Sequence, residues 1–549
     1  MQRIRQLPSK SFRVFIGAFL LGNVAQAQSL NFKWAQSPLE LKAEFYGHNT
    51  VFVRGGLGVW DEGENKIKPE VNKLVQDLSP GVLRFPGGTR AMLYRFWESI
   101  GPKLQRRSQC DPFSSEFDST GYGPFEFFKW AQDLGTQVSL VTPWAYSTPE
   151  EVASFVAYIN GSTQDSRWVA GEQDTFDNNN RQWNRISDWA QKRAEDGQEK
   201  PFQLSYVEIS NEAFLDLKVK KKIDNPCWCD ERFPINRCPQ SFQANWQSNE
   251  VDGFRPTTVS RYVDDLVRSS RLIKRINPGI KVGAAAKMKI FYPASSNKGV
   301  LDEESAVDKR LGTEQAWNRT LYEEARDDFD FFAIHPYRIL PVERLNLPQE
   351  LERTLQQFQK EFPDKKLAVT EFGFFKKGNT LSNAIVSAEM IKIATEYKME
   401  MLLRHILIED QAGSLFASHG AILGPSHKLT PSYHALKLMR DHLFKDAFVE
   451  SENKDWLKSL ATRSGDKNEW AVLIIKKAKG PQTVDVAIPD LRKYKAVFHS
   501  LDYAEKSKSS DEIEDVSVKS VELGTFQHTV KLRLGRYAVG VLKLLAVDE

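Results

Sequence analysis

Two glutamates, Glu212 and Glu371, each stand at the end of a short apolar run. The first closes Ser205-Tyr206-Val207-Glu208-Ile209-Ser210-Asn211-Glu212, where alternation buries Val207 and Ile209 and delivers Asn211 and Glu212 just past a strand. The second ends Leu367-Ala368-Val369-Thr370-Glu371, ahead of Phe372-Gly373. Two carboxyl groups about 5 to 5.5 Å apart can cleave a glycosidic bond with retention, one protonating the leaving oxygen while the other attacks the anomeric carbon. A single glutamate after a strand is commonly a surface residue. A pair at the ends of two strands of one barrel is a far more specific signal.

Other segments have the residue types to serve that pair. Leu83-Arg84-Phe85-Pro86-Gly87-Gly88-Thr89 brings an arginine to a strand end, followed by glycines that permit positive φ and close ligand approach. Arg84 can hold a neighbouring carboxylate ionised or serve as a structural ion pair beneath the mouth, and the two roles are compatible. Ile334-His335-Pro336-Tyr337 ends another strand, and His335 can offer a donor to a sugar or to Glu371. Trp60, Trp144 and Tyr146 follow strands one and three, where an exposed ring would stack on a sugar face; core packing is the competing role.

The elements that must position these residues follow from periodicity. Short β-branched or aromatic runs alternate with helical segments from about residue 43 to 443. Eight strands are expected, within 44–53, 82–85, 138–142, 204–209, 280–285, 329–335, 367–371 and 401–408, the number that closes a (β/α)8 TIM barrel. Glu212 and Glu371 then follow strands four and seven. Two irregular stretches, roughly 160–200 and 213–256, would cover the face where sites form. From 444 to 549 the pattern changes to strands of alternating polarity, a C-terminal antiparallel β-sandwich, with a strand in 28–42 placed to join it.

Residues 1–27 read as a signal peptide: Arg3, Arg5, Lys10 and Arg13 precede an apolar run, and Ala25-Gln26-Ala27 offers a cleavage site, so a secreted or periplasmic protein is expected. The run is too short to span a bilayer, so no membrane insertion is expected after cleavage. That segment carries four of the 75 basic residues and none of the 72 acidic ones, leaving 71 against 72, a balance that suggests no nucleic-acid partner. Cys110, Cys227, Cys229 and Cys238 suit disulfides in an oxidising compartment better than a metal site, their pairing open. A serine-hydrolase elbow, a Walker loop and a dinucleotide fingerprint are all missing from the sequence.

These segments resemble clan A glycoside hydrolases, and most the α-L-arabinofuranosidase-like group of family 51 and its relatives. The Arg-Phe-Pro-Gly-Gly turn, Asp188-Trp189-Ala190-Gln191-Lys192-Arg193, Tyr206 to Glu212, Thr370-Glu371-Phe372 and Leu429 to Ala435 match that group's landmarks in order. The resemblance implies Glu212 as acid/base, Glu371 as nucleophile, Asn211 on the sugar 2-hydroxyl, and Arg84, His335 and Tyr337 in support, with an oligosaccharide or polysaccharide substrate and no metal or organic cofactor. Ser210 stands where the group usually has Gly, Val207 where Trp is common and Thr89 where Asn is usual, and strand one lacks the group's sugar-binding glutamate. Those departures bear on the sugar recognised more than on the chemistry. The rival readings are a noncatalytic glycan-binding protein on the same scaffold and a transglycosylase.

Overall fold

The computed structural model describes residues 28–34, 36–111, 116–144, 147–171, 184–213, 259–287, 314–338, 345–374, 380–409, 420–424, 426–451, 454–488, 490, 492–503 and 516–547. Residues 1–27, expected to form the export signal, the three clustered cysteines and Tyr146 lie outside them, as do the side chains of Cys110 and Tyr337.

Eight parallel strands close on themselves: β1 (Gly47–Asn49), β2 (Val82–Phe85), β3 (Gln137–Val141), β4 (Tyr206–Ile209), β5 (Lys281–Ala285), β6 (Phe331–Ile334), β7 (Lys366–Phe374) and β8 (Leu402–Arg404). Closure is made where Phe331 to Ile334 pair in register with Lys366 to Val369, and where Leu403 pairs with Gly47. Around the strands run α1 (Pro69–Leu78), α2 (Pro124–Leu134), α3 (Pro149–Asn160), α4 (Ile186–Glu195), α5 (Val259–Ile276), α6 (Glu314–Ala325), α7 (Leu347–Glu361), α8 (Leu381–Glu396) and α9 (Pro431–His442). Proline opens α1, α2, α3 and α9, where its missing N–H costs no helical bond. Thr148 and Thr430 cap α3 and α9 by accepting from Glu151 and Tyr433 N–H groups. The stretch 160–200, expected to be irregular, contains α4. Its sequence is strongly charged, yet Ile186, Trp189 and Ala190 are buried on one face, Asp188 caps the start by accepting from the Arg185 N–H, and the buried Arg193 donates to the carbonyls of Tyr158, Ile159, Gln198 and Glu199.

The barrel interior is layered by the two-residue period of its strands. Val82, Tyr206, Phe331, Ala333, Ala368, Met401 and Leu403 form a compact apolar plug. Two residues further along β2 and β4 the same inward-facing rows carry Arg84 and Glu208, so the plug is apolar and the layer above it is charged.

Beyond α9 lie two packed sheets. The larger has the order Leu39–Glu40, β9 (Asp446–Val449), β10 (Leu457–Arg463), β11 (Glu469–Lys476), β16 (Ala538–Ala546), β13 (Tyr494–Tyr503), β14 (Val516–Phe526). The smaller joins Gln28–Leu30, β12 (Gln482–Ala487) and β15 (Thr529–Leu534). Pairing is antiparallel apart from Gln28–Leu30, which runs parallel to Val484–Val486. Strand β11 departs from alternation because Trp470 to Lys476 are all buried. Val472 and Ile474 face the smaller sheet, whereas Leu473 and Ile475 join the barrel's own core.

Candidate functional site

The charged layer is organised by Arg84, which is fully buried on β2. Its Nε and Nη2 donate to the two oxygens of Glu208 at 2.9 and 3.0 Å. Its Nη1 donates to Asn49 Oδ1 and to Glu371 Oε1, both at 2.6 Å, and Nη2 also reaches Asn211 Oδ1 at 3.0 Å. All five guanidinium donors are thereby committed. Burial opposes the charge on Arg84, but Glu208 and Glu371 outweigh it and raise its pKa above the ordinary value. Arg84 thus ion-pairs with both carboxylates beneath the barrel mouth.

Glu371 is aimed by an irregularity in β7. Pairing with β8 steps from Val369–Leu402 to Phe372–Arg404, so three residues of advance on β7 oppose two on β8. That bulge lets neighbours Thr370 and Glu371 both serve the mouth, where strict alternation would send them to opposite faces. Thr370 Oγ1 meets His335 Nε2 at 2.9 Å, its carbonyl accepts from Asn49 Nδ2 at 2.8 Å, and Glu371 takes Arg84. The turn after β2 comes close to the same carboxylate: a Cβ added to Gly88 would lie 2.5 Å from Glu371 Oε1 and would push that carboxylate aside. Gly87 beside it has φ +135°.

Asn211 and Glu212 follow β4 through a tight backbone turn in which Ser210 has φ +72° and Glu212 φ +45°. His335, at the end of β6, joins the two halves. Its Nδ1 lies 3.0 Å from Glu212 Oε1 and 3.9 Å from Glu371 Oε2, so these oxygens are at most about 7 Å apart, compatible with a retaining pair and short of most inverting ones. Burial disfavours a charged His335, yet Glu371 and Glu212 together raise its pKa above 6.5. His405, after β8, puts Nδ1 3.8 Å from Glu371 Oε2; burial pushes its pKa down to about 4, with Glu371 resisting and Arg84 and Arg90 reinforcing.

Trp144 is a correction. Its ring is 3% exposed, its Nε1 donates to Asp265 Oδ2 at 2.8 Å, Arg261 lies over it at 4.4 Å and Tyr262 meets it edge-on at 5.1 Å. It anchors α5 to the end of β3 and has no free face for a sugar. Trp60 is likewise buried, with the Lys103 ammonium 4.2 Å from its ring centre. Sequence reasoning assigned Glu208, Asn49, Thr370 and His405 no role at the site. The available signal for Glu208 was a charge in the middle of an apolar barrel strand, complementary to Arg84 in the same position of another. Among the described residues no group of three or more His, Cys, Asp or Glu is arranged to hold a metal ion, and no helix is long and apolar enough to cross a membrane.

A closed parallel barrel with Glu212 just past its fourth strand and Glu371 within its seventh, followed by a β-sandwich, resembles the clan A glycoside hydrolases. Comparison with known proteins narrows the likeness within that class. Residues 74–249 match the family model described as the alpha-L-arabinofuranosidase 1 domain, a stretch that holds Arg84, Glu208, Asn211 and Glu212 and stops before Glu371. Alpha-L-arabinofuranosidase C of Emericella nidulans is 26% identical over 169 residues, 30% of this chain and 29% of that protein. Alpha-L-arabinofuranosidase A of Aspergillus niger is 27% identical over 207 residues, covering 35% and 28%. The matched stretch thus spans under a third of the length of these relatives. In fold, the chain is similar to the alpha-L-arabinofuranosidase of Thermotoga maritima in its arabinose complex (TM-score 0.67, 16% identity, 94% of this chain and 99% of that one). It is equally similar to the family 51 enzyme of Thermotoga petrophila RKU-1 (TM-score 0.67, 16% identity, 95% and 99%). The resemblance to the family 51 α-L-arabinofuranosidase-like group is borne out by these matches.

Proposed function

We propose that the chain is a retaining glycoside hydrolase with Glu371 as nucleophile and Glu212 as acid/base. The observation that carries this reading is the single imidazole, His335, in reach of both carboxyl groups, which keeps them facing across a sugar-sized gap. Arg84 at 2.6 Å favours the ionised Glu371 that attack requires. In the first half-reaction Glu371 bonds to the anomeric carbon, the bond to the leaving oxygen breaks, and the Glu212 proton passes to that oxygen. In the second, Glu212 takes a proton from water, the water oxygen bonds to the anomeric carbon, and Glu371 leaves as carboxylate. Arg84 fixes Asn211 Oδ1, so the amide N–H groups of Asn211 are the ones turned to the sugar. Tyr337 keeps its supporting role from the family likeness alone, and the chemistry calls for no metal or organic cofactor.

The substrate is an oligosaccharide or polysaccharide glycoside. The relatives' names make α-L-arabinofuranosides the first to test. Strand one has no carboxylate to bind the sugar, and its Asn49 is tied to Arg84 and Thr370, so xylosides, glucuronides and other pyranosides belong in the same screen. We extend the reading to export: residues 1–27 act as a cleaved signal, the mature protein is secreted or periplasmic, the cysteines form disulfides, and 43–443 and 444–549 are the catalytic and sandwich domains.

The test is a screen of aryl-glycosides and polysaccharides with wild type and Glu371→Ala side by side, following the anomeric form of the first product by proton NMR. Wild-type turnover with retention, lost in Glu371→Ala, is the expected result. Saccharide binding without turnover would make the protein a glycan-binding one, and transfer to an added sugar in preference to water would make it a transglycosylase.

A further inference from the structure

We propose that Glu208 is a positioning residue that sets the basicity of Glu371 through Arg84, an inference that rests on the hydrolase reading above. Glu208 takes the bidentate edge of the guanidinium through both oxygens, whereas Glu371 receives one Nη1 donor at 2.6 Å. Two carboxylates therefore share one cation, and both salt bridges are almost wholly withdrawn from water. In such surroundings each charge is felt strongly by its neighbours. Besides Arg84, the Glu208 carboxylate accepts from the neutral Ser139 hydroxyl at 3.0 Å, so its negative charge is directed at Arg84.

The consequence is chemical. A retaining nucleophile must attack in one half-reaction and leave in the next, and those demands pull its basicity in opposite directions. Facing Arg84 uncompensated, Glu371 would be a weaker nucleophile and a better leaving group. Glu208 offsets part of the guanidinium charge and so fixes where Glu371 sits between the two. Its place in the inward row of β4, two residues beyond Tyr206 in the apolar plug, explains why a carboxylate stands in the middle of an apolar strand.

The experiment is the pH dependence of kcat/KM for wild type, Glu208→Gln, Glu208→Asp and Ser139→Ala on a glycoside that the wild type hydrolyses, with Glu371→Ala as reference and thermal midpoints as a check of folding. Glu208→Gln is expected to move the acidic limb to lower pH by about one unit and to slow glycosylation about tenfold relative to deglycosylation, suppressing any burst of released aglycone. Glu208→Asp keeps the charge and should restore the limb. Ser139→Ala frees the Glu208 charge from a hydrogen bond and should move the limb slightly upward. An acidic limb unmoved in folded Glu208→Gln, with Glu371→Ala inactive, overturns the proposal and leaves the hydrolase reading standing. If Glu208→Gln does not fold, Ser139→Ala decides, and a limb that stays or falls overturns it. Absence of wild-type turnover on every glycoside removes the hydrolase reading and this inference with it.

Discussion

Replacing Arg84 by lysine removes the planar fork but keeps a cation. An ammonium cannot serve Glu208 bidentately while also reaching Asn49, Asn211 and Glu371, so kcat/KM is expected to fall by about 10² or more with folding retained. Arg84→Met, which leaves two buried carboxylates without their cation, should cost about 3 to 5 kcal/mol, read from urea unfolding at neutral pH. Gly88→Ala tests the closeness of the β2 turn: the new methyl displaces Glu371, so activity should drop about a hundredfold with a much smaller change in thermal midpoint. His335 gives a pH signature whose sign follows from its raised pKa. Its contribution to stability is complete below the unfolded value near 6.5 and is lost as pH rises through the higher folded value. His335→Gln should therefore flatten the pH dependence of unfolding free energy on the alkaline side of 6.5. A slope unchanged by the substitution would show that the imidazole gains nothing from its two carboxylates.

At the scale of elements, the site depends on strand ends being held level. Tyr262, on α5, does this from outside the barrel: its hydroxyl donates to the Ile209 carbonyl at 2.6 Å and accepts from the Ala285 N–H at 2.8 Å, tying β4 to β5 just where β4 gives way to Asn211 and Glu212. Tyr262→Phe leaves both buried backbone groups without that partner. A loss of about 1 to 3 kcal/mol is expected, with a fall in kcat larger than a distant residue would cause. Most of these elements were legible in advance because barrel strands buried on both faces read as short continuous apolar runs, and helices announce themselves by proline or threonine starts. Helix α4 was not, since its buried face includes a charged residue, Arg193, whose carbonyl partners Tyr158 and Ile159 lie on α3. The bulge in β7 was illegible for a similar reason, being a property of the pairing with β8.

The whole molecule is held together by α8, which is buried along its length between barrel and sandwich. Glu389 on that helix pairs with Lys477 at 3.0 Å, both almost without solvent exposure, and the outer row of β11 packs into the barrel core. Lys477→Met strands the Glu389 carboxylate, whose pKa burial already raises against the pull of Lys477, and should cost about 3 to 5 kcal/mol. Because the two domains share this seam, unfolding followed by fluorescence and by circular dichroism should coincide in a single transition, and a chain ending at Leu443 should be insoluble. Separate transitions would mean that the seam contributes little.

The sequence by itself determined the barrel's eight strands, the change from barrel to sandwich after the last helix, and which two strands carry the paired glutamates, because periodicity and the chemistry of residue types are local properties. Only the tertiary structure decided that Trp144 is an anchor, that Glu208 and Asn49 share Arg84 with Glu371, and that one histidine spans both carboxyl groups. Those facts depend on which side chains meet across a closed barrel, and residues more than a hundred positions apart become neighbours there through the curvature and register of the sheet.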